Sequence, residues 1–148
     1  MSDFSVRIAV ASDHGGLSLK NVIVADLKAR GYHVTDLGTD SASSVDYPLY
    51  ADLVTSRITS GEADVGILVC GSGIGMSIAA NRVKGIRAAL VHDLSTATLA
   101  KEHNNANVLC LGGRFVAPEL GCELVQAWLT SEFEPRHQRR LDLLDACS

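Results

Sequence analysis

VGILVCGSGIGMSIAA, residues 65–80, passes from a short apolar run, Val65–Val69, through three glycines in five residues into an apolar helical stretch. A buried strand that feeds a glycine turn and then a helix is half of a strand–helix–strand unit, in which helices cover a parallel sheet. Four similar runs flank it: Val6–Ala11, His33–Leu37, Arg87–Val91 and Val108–Leu111. Helical patterns separate them. Leu19, Ile23 and Leu27 recur at every fourth position until Gly31 stops the pattern, and Pro48 opens a helix reaching about Ser60, with Gly61 behind it. Pro118 opens another, containing Leu120, Leu124, Val125 and Trp128, and a last helical stretch begins near Arg136 after Pro135. The expected fold is α/β, a five-stranded parallel sheet with helices on both faces, as one domain over residues 1–148 without repeat or linker.

Composition narrows the function. The net charge of −4, from 13 basic and 17 acidic residues, leaves no basic face broad enough for a nucleic-acid backbone. The start, MSDFSVRIAVASDH, lacks a positive leader with a long apolar stretch, and no run approaches the roughly 18 apolar residues of a membrane span. A soluble, cytoplasmic protein with no membrane partner is expected. Cys70, Cys110, Cys122 and Cys147 show neither CxxC spacing nor the density of a disulfide scaffold, so reduced thiols are expected.

In a parallel α/β sheet, ligands bind at the carboxyl edge, where helix N-termini converge. The residues that follow the strands there are Asp13 and His14, Gly38 onward, Cys70 with GSGIG, His92 with Asp93, and Gly112–Arg114. Glycines at 71, 73 and 75 let the backbone approach a ligand and turn its amides inward as an anion cradle; the competing role is a tight turn alone. A dinucleotide fingerprint fails because Met76 stands where its last glycine would be, and the nucleotide P-loop pattern is absent. Asp93 lies where a ribose-binding carboxylate would follow, which keeps a nucleotide site as an alternative.

Cys70 immediately precedes amides that open a helix, an environment favouring thiolate, so it is a candidate base or nucleophile; its competing role is a small buried hydrophobe, as read for Cys110 and Cys122. Asp13 and His14 stand beside a second glycine turn, where Asp13 is also a natural N-cap. His103 and Asn104 end the fourth helix, in KEHNNAN, where a helix dipole and a chain-terminating asparagine compete with chemistry. Arg136 and Arg140, in RHQRR, fall at i and i+4 on one helix face, a like-charge pair suited to a phosphate; Glu132, Glu134 and Asp142 are its competing neutralisers. The five histidines are dispersed, without HxH or HExxH, so no metal is expected.

Taken in order, SDHGG, DYP at Asp46–Pro48, CGSGIGMSIAAN at Cys70–Asn81, GIRAAL at Gly85–Leu90, EHNNANVLCLGGR and RHQRR resemble the type B ribose-5-phosphate isomerases across nearly the whole chain. That family includes galactose-6-phosphate and allose-6-phosphate isomerases. The resemblance implies a Rossmann-like three-layer sandwich and a cofactor-free enzyme interconverting ribose 5-phosphate and ribulose 5-phosphate. It implies Cys70 as the base between C1 and C2 and His103 as the residue that opens the sugar ring. It implies Gly71, Ser72, Gly73, Ile74 and Gly75 around the enediolate oxygen, Asp13, His14, Tyr47 and Asn104 as substrate contacts, and Arg114, Arg136 and Arg140 at the phosphate. One branch of the family carries glutamate where this chain has Met76, so this chain falls in the cysteine branch. The pair His103–Asn104 favours the five-carbon substrate. The family also implies a homodimer or homotetramer with sites shared between subunits. Isomerisation of a six- or four-carbon sugar phosphate, and a non-catalytic phosphosugar or nucleotide module, stay open beside it.

Overall fold

A computed structural model describes residues 3–147. Five strands, β1 (Arg7–Ser12), β2 (His33–Asp36), β3 (Val65–Cys70), β4 (Ala88–Leu90) and β5 (Val108–Gly112), form one parallel sheet in the order β2-β1-β3-β5-β4. The helices are α1 (Leu17–Ala29), α2 (Tyr47–Thr59), α3 (Ile74–Asn81), α4 (Leu94–Glu102), α5 (Pro118–Thr130) and α6 (Gln138–Ala146). Each expected strand and helix is present, with ends moved by a residue or two.

Because neighbouring residues of a strand point to opposite faces, the sheet carries two separate cores. Ile8, Val10, Ile67, Val69, Leu109 and Leu111 face α1, α4 and α5, through Leu19, Ile23, Leu27, Ala97, Ala100, Leu124 and Trp128. Ala9, Ala11, Leu68, Cys70, Val108 and Cys110 face α2 and α3, through Ala51, Val54, Met76 and Ala80. Side chains on this second face are smaller, and α2 packs tightly on the sheet: a Cβ on Gly66 would stand 2.3 Å from Cγ1 of Val54. The three-layer sandwich follows from this alternation.

The chain leaves β1 toward β2 on one side and takes β3 on the other, so the strand order reverses between β1 and β3, and a crevice opens at their carboxyl ends. Lys20 supports one wall. The residue is 1% exposed, its ammonium bonds both oxygens of Asp36 at 2.9 and 3.0 Å, and Asp36 Oδ1 also accepts the N–H of Gly38 at 2.9 Å. The loop after β2 is thereby held to α1. At the opposite edge of the sheet, the indole N–H of buried Trp128 donates to the carbonyl of Ala106 at 3.0 Å and fixes the turn between α4 and β5.

Candidate active site

At the β1–β3 crevice three glycine turns meet backbone to backbone. A Cβ on Gly16 would come 2.4 Å from the carbonyl oxygen of Val69, one on Gly113 2.7 Å from that of Gly15, and one on Gly112 2.7 Å from that of Ser72. Close approach to other protein backbone, besides any ligand, is therefore what excludes side chains here. Gly73 alone in the GSGIG turn has a positive φ, 79°, and forms the start of α3 with no side-chain cap.

Cys70 closes β3 and is 4% exposed; its Sγ accepts the N–H of Gly73 at 3.1 Å. The thiol thus sits at the N-terminus of α3, where the helix dipole favours negative charge. The hydroxyl of Ser72 accepts the N–H of Ile74 at 3.2 Å. The next amides, of Gly75 and Met76, lie in the first turn, where an α-helix provides no internal acceptor. Both are left able to donate to an oxygen placed at the head of the helix.

Other expected residues gather around this turn. Arg114 donates its backbone N–H to the carbonyl of Gly71 at 3.0 Å, and its Nη1 lies 3.2 Å from where a Cβ on Gly71 would stand. The ring of Tyr47, first residue of α2, would come 2.6 Å from a Cβ on Gly75. Asp13 is buried and its Oδ1 accepts the N–H of Gly16 at 3.1 Å, so it does cap the short 3-10 turn His14–Gly16. His14 Nδ1 accepts the N–H of Val45 at 3.2 Å, which places the proton of a neutral His14 on Nε2, free to donate. Burial, with a smaller contribution from Cys70, pushes the Cys110 thiol far up, so the second cysteine on this face stays a neutral core residue.

His103, Asn104, Arg136 and Arg140 are elsewhere. His103 is the residue on which α4 ends, and β5 begins five residues later at Val108, level with Gly66 near the start of β3; Cys70 is level with Gly112 at the far end of β5. Four residue steps of strand separate the two levels, roughly 13 Å at about 3.3 Å per residue. A single copy of this chain keeps the expected base and the expected ring-opening histidine on opposite edges of the sheet.

At that second edge the ring of His103 lies 4.5 Å, centroid to centroid, from that of His137. The N–H of Glu134 donates to the carbonyl of Glu102 at 2.9 Å, tying the 3-10 turn Pro135–His137 to the end of α4. Arg140 Nη1 stands 3.3 Å from His137 Nδ1. Burial, then the neighbouring arginines and His103, hold the His137 imidazole below its ordinary value.

Residues 8–144 match the ribose/galactose isomerase family. Ribose-5-phosphate isomerase B of Escherichia coli is 46% identical over 141 residues, 95% of this chain and 95% of that protein. The solved ribose 5-phosphate isomerase of Thermotoga maritima superposes with a TM-score of 0.93 at 50% identity, covering 95% of this chain and 98% of that one. That of Mycoplasma genitalium, solved with bound ribulose-5-phosphate, gives a TM-score of 0.92 at 44% identity, covering 97% of each chain.

The chain belongs to the ribose/galactose isomerase family.

Within this isomerase fold some expectations need correction. Arg136 and Arg140 do not share a helix, because Pro135 sets a 3-10 turn and α6 starts only at Gln138. Arg136 is paired with Glu134, Nη2 to Oε2 at 2.7 Å, one of the neutralisers anticipated for it. Asp93, the would-be ribose carboxylate, caps α4 through the N–H of Thr96 at 2.8 Å, and that bond lowers its carboxyl below the usual range. The histidines are dispersed only along the chain: His103 and His137 meet, with Glu134 beside them. Nothing in their spacing, 34 positions apart, announces this. A cavity of about 610 Å³ between Asn81–Ala89 and the end of α6 includes Asn104 but none of the Cys70 cluster. Among the described residues no helix is long and apolar enough to cross a membrane.

Proposed function

We propose that this isomerase interconverts D-ribose 5-phosphate and D-ribulose 5-phosphate through an enediolate, with Cys70 as the base. The observation that carries the proposal is the seat of Cys70, its Sγ under the Gly73 amide at the head of α3, with Arg114 against the same turn. The E. coli relative and the Mycoplasma structure with bound ribulose-5-phosphate support this choice of substrate.

In the forward direction His103 moves a proton from the anomeric hydroxyl to the ring oxygen, and the sugar opens to an aldehyde. The Cys70 thiolate then takes the proton from C2 and returns it to C1, while the proton of the C2 hydroxyl passes to the oxygen on C1. A positioned base contributes about 10² to 10⁴ in rate. The enediolate oxygen lies against the turn Gly71 to Gly75, and each amide there that is left free to donate to it contributes roughly 2.7 to 4 kcal/mol. Asp13, His14, Tyr47 and Asn104 hold the sugar hydroxyls. Arg114, Arg136 and Arg140 grip the phosphate, which supplies remote binding energy for orienting C1 and C2. None of these steps calls on a metal or an organic cofactor.

Proton transfer needs heavy atoms about 2.6 to 3.2 Å apart, or one water between them. His103 and Cys70, a strand length apart in one chain, meet that requirement only if His103 comes from a second copy. The active form is therefore a homodimer or homotetramer whose sites are shared between subunits, working in the reducing cytoplasm that four free thiols suit.

The test is turnover of ribose 5-phosphate by the purified protein with a chelator present, beside Cys70→Ala. We expect conversion by the parent and a loss of at least about 10² in the variant. An active Cys70→Ala refutes the base, and an inactive parent that turns over allose or galactose 6-phosphate refutes the substrate.

A further inference from the structure

The segment Gly38–Tyr47, which leads from β2 into α2, crosses the carboxyl end of β1 and is tied there at two places. At the first, the Gly38 carbonyl accepts the N–H of Ser12 at 2.8 Å and Thr39 donates its own N–H to the Ser12 carbonyl at 2.9 Å, one residue before Asp13. At the second, the N–H of Val45 donates to His14 Nδ1 at 3.2 Å. Two residues later the Tyr47 ring would stand 2.6 Å from a Cβ on Gly75. The segment is a strap from the end of β1 to the glycine turn after Cys70, and His14 is its middle anchor.

His14 is itself set against that turn, because a Cβ on the adjacent Gly15 would stand 3.1 Å from the Gly71 nitrogen. A ring nitrogen that accepts a hydrogen bond carries no proton, so the Val45 amide places the proton on Nε2. It also fixes the rotation of the ring, since Nδ1 has to face Val45. Nε2 then has a set direction and no hydrogen-bond partner among the described residues. Without the Val45 bond the imidazole would sample both tautomers and both ring rotations, and a ligand would have to order it on binding.

We propose that Val45 is a positioning residue: its backbone amide holds His14 in the Nε2–H tautomer with that donor aimed at an acceptor oxygen of the sugar phosphate. Val45 thereby sets substrate affinity through His14, with no contact of its own. The contact between His14 and substrate rests on the function proposed above; the hold of Val45 on the ring does not. Only the amide acts, so no residue type at position 45 marks the role in the sequence.

The experiment uses full-length protein labelled with ¹⁵N-histidine, as the parent, as Val45→Ala, which keeps the amide, and as Val45→Pro, which removes it. His14 signals are assigned by their loss in His14→Gln. In the parent and Val45→Ala, Nδ1 should be unprotonated and Nε2 protonated; in Val45→Pro the two resonances should move toward each other as both tautomers populate. In His14→Ala the Val45 amide should exchange with solvent at least about tenfold faster than in the parent, a reading that stands even if Val45→Pro does not fold. With ribose 5-phosphate, Val45→Pro should raise KM about threefold to tenfold with kcat within about twofold, while Val45→Ala follows the parent. His14→Gln carries an amide donor that has no tautomer to choose, so adding Val45→Pro to it should change KM by less than about twofold. If His14→Gln turns nothing over, the same cycle is read in the Kd for ribulose 5-phosphate by calorimetry. A protonated Nδ1 in the parent, unchanged exchange of the Val45 amide in His14→Ala, or a Val45→Pro penalty of equal size in both backgrounds each overturns the proposal. A parent inactive on ribose 5-phosphate refutes the proposed function instead, and the nitrogen spectra still decide whether Val45 holds His14.

Discussion

Two individually dead variants should make an active enzyme when mixed. Cys70→Ala removes the proposed base at one edge of the sheet, and His103→Ala removes the proposed ring-opening group roughly 13 Å away at the other, by the rise of about 3.3 Å per strand residue. If each site takes Cys70 from one copy and His103 from its partner across a two-fold axis, a hybrid dimer has one site lacking both groups and one lacking neither. Random exchange of equal amounts makes about half of the dimers hybrid, and half of their sites intact, so about a quarter of the parent's activity per chain returns. The assay follows ribulose 5-phosphate formation after the variants are mixed under conditions that exchange subunits, with differently tagged chains to verify that hybrids formed. Each variant alone should stay near background. Verified hybrids without recovered activity would refute the shared site, because the two groups would then have to meet within one chain.

Further outcomes follow from the geometry around the crevice. Gly73→Ala forces φ of 79° on a residue with a Cβ and sets that Cβ 2.6 Å from Leu90 Cδ1 and 2.9 Å from the Leu111 carbonyl carbon. We expect about 1–3 kcal/mol lost in urea unfolding, with turnover lost more steeply than stability; normal turnover would show that the Cys70–Gly73 bond is dispensable. Asp36→Asn leaves the Lys20 ammonium buried and unpaired, whereas Lys20→Met leaves Asp36, whose side chain is 31% exposed, able to reach water. The first should cost about 3–5 kcal/mol and the second clearly less, and the reverse order in denaturant melts would refute the reasoning. Arg7 lowers the Asp64 carboxyl through its side chain and its backbone N–H. A carboxyl depressed in the folded state contributes stability that is present above its unfolded value of about 3.9 and is lost as pH falls through its folded value. Asp64→Asn should therefore weaken the fold at neutral pH and much less in acid, and an equal loss at both would refute the pairing.

Strand–helix alternation was legible because each element carries its own pattern. Leu19, Ile23 and Leu27 form a helix stripe, and β3 is a continuous apolar run that ends in glycines. That ordering alone puts Asp13, His14, Cys70 and Arg114 at one sheet edge, since every parallel strand delivers its following loop there. The 3-10 turn at Arg136 was misread as helix because the i, i+4 spacing of the arginines fits either until the start of α6 is known.

What lay beyond the sequence were contacts between segments far apart along it. Glycines that look like a ligand cradle also serve the meeting of three turns, which depends on the register of β1, β3 and β5. The approach of His137 to His103 depends on Glu134 docking at the end of α4, and the separation of His103 from Cys70 depends on α4 running back along the sheet. Local periodicity determines which elements form, because it acts through neighbours three or four residues apart. Which side chains from different elements share an edge is set only when the sheet fixes its strand order and the helices pack against it, and that decision divided this site in two.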